Sequence, residues 1–122
     1  PIVKGAKEFL EYFSAKIPLF LISISPEDEL SRVLDVRDLN IYFKQVYANP
    51  PKKSEAFKDI IKREQLDASE VVYIGDTPED YQAAVEVGIP FIGRKSEKEF
   101  PEGNFPVCND LEEVQNILNS LR

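Results

Sequence analysis

Val71-Val72-Tyr73-Ile74-Gly75-Asp76-Thr77-Pro78-Glu79-Asp80 decides the fold, because an apolar run changes abruptly into residues typical of a helix start. The first four residues predict a buried strand, while Thr77 and Pro78 suit the N-cap and first position of a helix. A strand that leads directly into a helix is the unit from which parallel α/β sheets are built. Helix capping does not explain Gly75 and Asp76, which come before the cap.

The same alternation of short apolar runs and amphipathic helices extends through the rest of the chain. The runs that predict strands are Leu19–Ile22, Val46–Tyr47, Val71–Ile74 and Ile89–Ile92. Helical spacing of apolar residues predicts helices near residues 4–15, after Pro26, up to about Leu66, before Gly88, and after an Asn109-Asp110 cap. The polar stretch from Arg94 to Pro106 predicts an irregular loop. We therefore expect an α/β fold with a doubly wound, mostly parallel sheet and helices on both faces.

Length and composition limit the possible classes of protein. The 122 residues fit one domain spanning residues 1–122. The net charge of −7 argues against nucleic acid or an anionic membrane as the main partner, because both require a basic surface. Cys108 is the only cysteine, so no intrachain disulfide is possible, and a reducing, cytoplasmic location is expected. The chain has no histidine, which excludes His-based triads and metal sites.

Asp76 and Asp80 are the candidate metal ligands. In open α/β sheets, ligands bind outside the carboxyl ends of the strands, where Asp76 is predicted to lie. Carboxylate oxygens are the ligands that Mg²⁺ prefers, and Asp80 follows four residues later. Asp80 is equally well explained as an acidic residue in the first turn of a helix. The spacing alone therefore leaves a structural and a functional interpretation open.

Two further polar features follow predicted strands. The Ser23 hydroxyl and the N–H of Ile24 could bind a phosphoryl oxygen, although Ser23 also suits an ordinary turn, and Ser25 is expected to be an N-cap. Lys52 and Lys53 precede a helix, where the dipole favours anions, so they either surround a bound anion or lie in solvent. A hydroxyl, a lysine and a carboxylate pair at successive strand exits suit phosphoryl transfer.

At these positions the chain resembles the haloacid dehalogenase (HAD) superfamily, in its phosphoglycolate-phosphatase-like branch. Ser23 matches the second motif of the family, Lys53 the third, and Gly75 to Asp80 the fourth, whereas Lys52 fits less well by its spacing from Pro50. The resemblance implies a Rossmann-like HAD core. It also implies that Ser23, Ile24 and Lys53 bind the phosphoryl group, with Ser23 and Lys53 acting in catalysis. Asp76 and Asp80 are then the metal residues, with Asp80 supporting Mg²⁺ or orienting Lys53.

The first motif of the family, a strand ending in Asp-x-Asp, is not found in the sequence, and Asp35 and Asp38 have the wrong spacing. In the family, that motif and often a cap precede the stretch that corresponds to Pro1. The missing strand would lie between the strands that end at Ser23 and Gly75. We therefore expect a truncated or clipped chain, or a strand contributed by a missing segment or a second chain. The chain alone is expected to be inactive.

The resemblance implies a Mg²⁺-dependent phosphatase that acts on a small phosphorylated metabolite through an aspartyl-phosphate, with the nucleophilic Asp outside this chain. The alternative is a non-catalytic HAD-like module with a binding or regulatory role. An Asp-x-Asp strand upstream of Pro1 favours the enzyme, and its absence favours the module. A receiver-type signalling domain is disfavoured, because its acidic pair should precede its lysine by a long stretch, and here the order is reversed.

Overall fold

Short parallel strands alternate with helices in a computed structural model that describes residues 5–23, 25–95, 100, 103 and 105–120. These residues divide into two compact units, Pro1–Pro51 and Lys52–Arg122, and each unit is described by itself. The organisation of residues 1–122 as a single domain stays a prediction.

The first unit contains two helices and a two-stranded parallel sheet. Its elements are α1 (Ala6–Ser14), β1 (Phe20–Ser23), α2 (Glu27–Val36), a 3₁₀ turn (Asn40–Tyr42) and β2 (Gln45–Ala48). In the sheet, Phe20 pairs with Gln45 and Ser23 pairs with Ala48. The buried leucines Leu30, Leu34 and Leu39 form the centre of its core, against which β1 and β2 pack residues such as Leu21 and Val46. The apolar face of α2 therefore covers this sheet.

The second unit contains three helices and a three-stranded parallel sheet in the order β3-β4-β5. Its elements are α3 (Lys53–Glu64), a 3₁₀ turn (Ala68–Glu70), β3 (Tyr73–Gly75), α4 (Pro78–Val87), β4 (Phe91–Arg94), β5 (Val107–Cys108) and α5 (Leu111–Ser120). Gly75 pairs with Gly93, so β4 extends one residue, Arg94, beyond the end of β3. The buried apolar residues of this unit are Ala56, Phe57, Ile60, Ala84, Ile89, Phe91, Ile92, Cys108 and Val114.

The predicted α/β class and parallel pairing are confirmed, because every strand pair within the described residues is parallel. The predicted starts of β3 and β4 were too early for two different reasons. The Val71 N–H closes the 3₁₀ turn by donating to Ala68, and the Ile89 N–H closes α4 by donating to Ala84. Neither N–H group is then available to a sheet.

Two local predictions were wrong. Ser25 is not the N-cap of α2, since Pro26 occupies that position and no side chain caps the helix. Arg94, predicted to begin a loop, instead ends β4. The short strand β5 (Val107–Cys108), which follows the predicted loop and pairs with β4, was not predicted. A strand of two residues is too short to produce a periodic pattern in a sequence. The described residues include no helix with the length and apolar character that crossing a lipid bilayer requires.

Candidate active site

A buried carboxylate, Asp80, organises the site in the second unit. It lies in the first turn of α4 and is only 2% exposed. One of its oxygens, Oδ1, accepts hydrogen bonds from the Lys53 ammonium and, at 2.9 Å, from the Tyr73 hydroxyl. The other, Oδ2, accepts the backbone N–H groups of Asp76 and Thr77 at 3.1 and 3.3 Å. Both carboxylate oxygens therefore accept hydrogen bonds, and the negative charge is paired with Lys53. A buried carboxylate is costly without such partners.

Gly75 allows this carboxylate to approach the end of β3. A Cβ atom placed at position 75 would lie 2.5 Å from the Asp80 Cβ and 2.8 Å from its Cγ and Oδ2. The positive-φ glycines of the described residues are Gly5 and Gly88, so a left-handed backbone is not the reason for glycine at position 75. Glycine is therefore required at position 75 because of the close approach of the Asp80 side chain.

The contacts of Asp80 alter the acidity of the group and of its neighbour. Burial alone raises the pKa of Asp80, but hydrogen bonds from Lys53, Tyr73 and Thr77, together with the Lys53 charge, lower that pKa below its ordinary value. Burial and the adjacent Asp80 charge raise the pKa of the Tyr73 hydroxyl. Asp80 is therefore a carboxylate, and Tyr73 a neutral donor, at physiological pH.

Asp76 differs from Asp80 in exposure and in its partners. It follows the last residue of β3, its side chain is 45% exposed, and its Oδ2 accepts a hydrogen bond from the Arg94 Nη2 at 3.1 Å. A half-exposed carboxylate at the carboxyl end of a parallel strand fits the oxygen ligands of Mg²⁺, which commonly binds one or two carboxylates and keeps several waters. Within the described residues, no group of three or more acidic or cysteine side chains is placed to hold a metal. Asp76 is thus the better ligand, since both oxygens of Asp80 already bind donors.

Thr77 is the N-cap of α4 and caps the first turn, in which Asp80 lies. Its hydroxyl accepts the Asp80 N–H at 3.1 Å, while the Asp80 carboxylate accepts the Thr77 N–H, so the two residues form a reciprocal capping box. The predicted N-cap at Thr77 and first helical position at Pro78 are confirmed.

We expect Thr77→Ala to lower the free energy of unfolding by about 1 kcal/mol, because it removes the side-chain cap of α4. Urea unfolding of the full-length protein, followed by circular dichroism, measures this change. Thr77→Ser keeps the hydroxyl and serves as the control. Equal stability of the alanine and serine variants would show that the cap contributes nothing.

Ser23 belongs to the first unit and ends β1. Its hydroxyl accepts the Ser25 N–H at 3.1 Å, which orients the oxygen and leaves the hydroxyl hydrogen able to donate to an acceptor. Ile24 lies outside the described residues.

A half-open cavity of about 340 Å³ in this unit is lined by Glu27, Leu30, Ser31, Val46, Tyr47, Ala48 and Pro50. Ser23 does not line it, so this cavity is not part of the predicted phosphoryl site.

The structure brings three of the predicted site residues together, since Lys53 binds Asp80 and the Asp76 N–H donates to Asp80.

Sequence reasoning missed Tyr73 and Arg94. Tyr73 was placed in the apolar run, where its hydroxyl was the one polar atom among side chains expected to be buried. Arg94 was assigned to a loop, but it ends β4. The rule that ligand-binding residues leave the strands at their carboxyl ends, applied to β4, would have identified it.

Comparison with known proteins identifies the family of this chain. The family model for haloacid dehalogenase-like hydrolases matches residues 1–94, which include Ser23, Lys53, Asp76, Asp80 and Arg94. Among curated proteins no match was found.

Several solved structures share the fold. A protein from Haemophilus somnus 129PT, described as a "predicted phosphoglycolate phosphatase", superposes with a TM-score of 0.85 at 17% identity, over 97% of this chain and 57% of that one. A HAD-superfamily hydrolase of subfamily IA from Geobacter sulfurreducens PCA gives a TM-score of 0.80 at 19% identity, over 95% and 60%. The YfnB protein from Bacillus subtilis, crystallised bound to magnesium, gives 0.82 at 18%, over 96% and 55%. At these identities the likeness concerns the fold, and the chain spans little more than half of each structure.

Proposed function

The chain belongs to the haloacid dehalogenase-like hydrolases, and on that premise we propose that it carries part of the active site of a Mg²⁺-dependent phosphatase. The observation that supports this most strongly is the shared carboxylate of Asp80. It binds the Lys53 ammonium through one oxygen and the backbone N–H of Asp76 through the other. A cation and a half-exposed carboxylate are thereby fixed on either side of one buried group, as phosphoryl transfer requires.

We propose a separate role for each residue. Asp76 holds Mg²⁺, which when bound neutralises charge on the phosphoryl oxygens. Lys53 brings a second positive charge to the phosphoryl group, and Asp80 positions Lys53. Ser23, with the N–H of Ile24, donates hydrogen bonds to a phosphoryl oxygen. Asp80 acts through Lys53, because both of its oxygens already accept hydrogen bonds.

The nucleophile of the proposed reaction is an Asp outside residues 1–122. Its carboxylate oxygen attacks phosphorus, the P–O bond to the leaving alcohol breaks, and an aspartyl-phosphate forms. Water then cleaves that intermediate, releasing phosphate and restoring the carboxylate. The substrate is a small phosphorylated metabolite, and the reaction takes place in the cytoplasm.

Phosphate release from a panel of small phosphomonoesters tests the proposal in the full-length protein. We expect turnover with Mg²⁺, loss of turnover after chelation with EDTA, and recovery when Mg²⁺ is added back. The full-length sequence should contain an Asp-x-Asp strand upstream of Pro1, and replacing its first Asp by Asn should abolish turnover. A folded full-length protein that lacks this strand and releases no phosphate would instead support a non-catalytic binding or regulatory module.

A further inference from the structure

Arg94 contacts the proposed metal ligand. Gly75 and Gly93 are paired across the β3–β4 ladder, so the next residues along each strand, Asp76 and Arg94, emerge side by side at its carboxyl edge. The Arg94 Nη2 donates to the Asp76 Oδ2 at 3.1 Å. The register of the sheet therefore directs a guanidinium to the carboxylate that is proposed to hold the cation.

This ion pair differs from an ordinary surface pair. The Arg94 side chain is 21% exposed, and its partner is 18 residues away on the neighbouring strand exit. The pair between Arg63 and Asp59 lies on successive turns of α3, and its side chains are 59% and 37% exposed. Exposed pairs of that kind contribute little and are screened by salt, whereas a mostly buried guanidinium is screened less. Arg94 is thus the less exposed of the two guanidinium groups, while its partner Asp76 is itself 45% exposed.

Arginine and a divalent cation have conflicting requirements at Asp76. A Mg²⁺ ion requires a carboxylate oxygen at about 2.0–2.1 Å, and a guanidinium that hydrogen-bonds the same carboxylate is then a positive neighbour at short range. Arginine keeps its charge at all accessible pH values, so the conflict is not relieved by deprotonation. The cation therefore has to displace the guanidinium from Asp76, and the loss of that ion pair weakens cation binding.

We propose that Arg94 sets the divalent-cation affinity of the site by competing with the cation for Asp76. This inference rests on the proposed function, because it takes Asp76 as the ligand. In this proposal Arg94 lowers the cation affinity of the site. A higher concentration of free cation is then needed to occupy it. Arg94 is a positioning residue for Asp76 and is released as the cation binds.

Binding of Mn²⁺ to the full-length protein, measured from the free-ion electron paramagnetic resonance signal, tests this without any turnover. Mn²⁺ stands in for Mg²⁺, since both prefer oxygen ligands in octahedral geometry. We expect Arg94→Gln to bind Mn²⁺ roughly three- to thirty-fold more tightly than the wild type. Arg94→Lys, which keeps the charge, should remain within a few-fold of the wild type.

Arg63→Gln is the matched control, because it removes the same charge from the exposed pair with Asp59. The proposal is overturned if Arg94→Gln binds Mn²⁺ no more tightly than Arg63→Gln does. Asp76→Asn tests the proposed metal ligand separately from the role of Arg94. If it leaves Mn²⁺ binding unchanged, the proposed metal site itself is wrong, whereas loss of binding in Asp76→Asn with no effect of Arg94→Gln rejects the role of Arg94 alone.

A second measurement covers the case in which Arg94→Gln does not fold. The Nε–Hε resonance of Arg94 in the ¹⁵N-labelled wild-type protein is followed during a Mg²⁺ titration. A shift that saturates together with cation binding supports release of the guanidinium from Asp76. An unchanged resonance at saturating Mg²⁺ rejects it.

Discussion

Asp80→Ala is expected to lower the free energy of unfolding by about 3–5 kcal/mol, the usual range when one partner of a buried ion pair is removed. The substitution leaves the Lys53 ammonium, the half-buried Tyr73 hydroxyl and the N–H groups of Asp76 and Thr77 without their acceptor. Each partly buried donor that is left unsatisfied adds a desolvation penalty. Urea unfolding of the full-length protein, followed by circular dichroism, measures the difference.

Asp59→Ala is the matched control, because it also removes a carboxylate from an ion pair. That pair is exposed and lies on one face of α3, so the expected loss is within about 0.5 kcal/mol. A loss for Asp80→Ala as small as that for Asp59→Ala would show that the Asp80 network contributes no stability.

The same comparison has a defined pH dependence. Because the folded-state pKa of Asp80 is lowered from 3.8, its contribution is fully present above that value and is lost as the pH falls through the folded pKa. The stability difference between wild type and Asp80→Ala should therefore be constant near neutral pH and shrink only in strongly acidic solution. A difference that shrank between pH 8 and pH 6 would contradict this assignment.

Lys53→Met should reduce kcat/KM for phosphomonoester hydrolysis by about 10²–10³, the usual effect of removing one group that stabilises transition-state charge. Methionine keeps much of the apolar stem and removes the ammonium. Because the substitution also leaves Asp80 without its cation, kinetics should be measured well below the unfolding transition of the variant. Initial rates at several substrate concentrations separate the effect on kcat from that on KM.

Lys52 provides a demanding control, since it is the adjacent lysine and an alternative match to the same motif. It is exposed and is the N-cap of α3, whereas Lys53 reaches the buried Asp80. Lys52→Met is expected to change kcat/KM by less than about two-fold, as substitutions at solvated surface positions usually do. A large loss in Lys52→Met with little change in Lys53→Met would reverse the assignment.

The strand-to-helix unit at Val71–Asp80 could be predicted because its signals are local. Apolar strand residues, a Thr N-cap and Pro at the first helical position act within a few residues of one another. The same locality explains the confirmed parallel α/β class. Strand boundaries were harder to predict, because the N–H groups of Val71 and Ile89 are used by turns that an apolar pattern does not reveal.

Candidate site residues could be named where they leave strands, whereas contacts that cross between elements could not be predicted. Lys53 is 27 residues from Asp80, and their pairing depends on the packing of α3 beside α4. The hydrogen bond between Tyr73 and Asp80 likewise requires the three-dimensional arrangement of β3 and α4. The pairing of Arg94 with Asp76 depends on the register of β3 and β4, which hydrophobic periodicity does not determine.

Because one carboxylate holds both the lysine of the site and the first turn of α4, positions 53, 73, 77 and 80 are mutationally coupled. Substitutions within such a network are not additive, and a change that is harmful alone can be neutral after a second one. An evolving sequence that loses Asp80 loses stability and lysine placement in the same step. Replacement of Asp80 is therefore expected to be tolerated only after compensating changes at Lys53 or Tyr73.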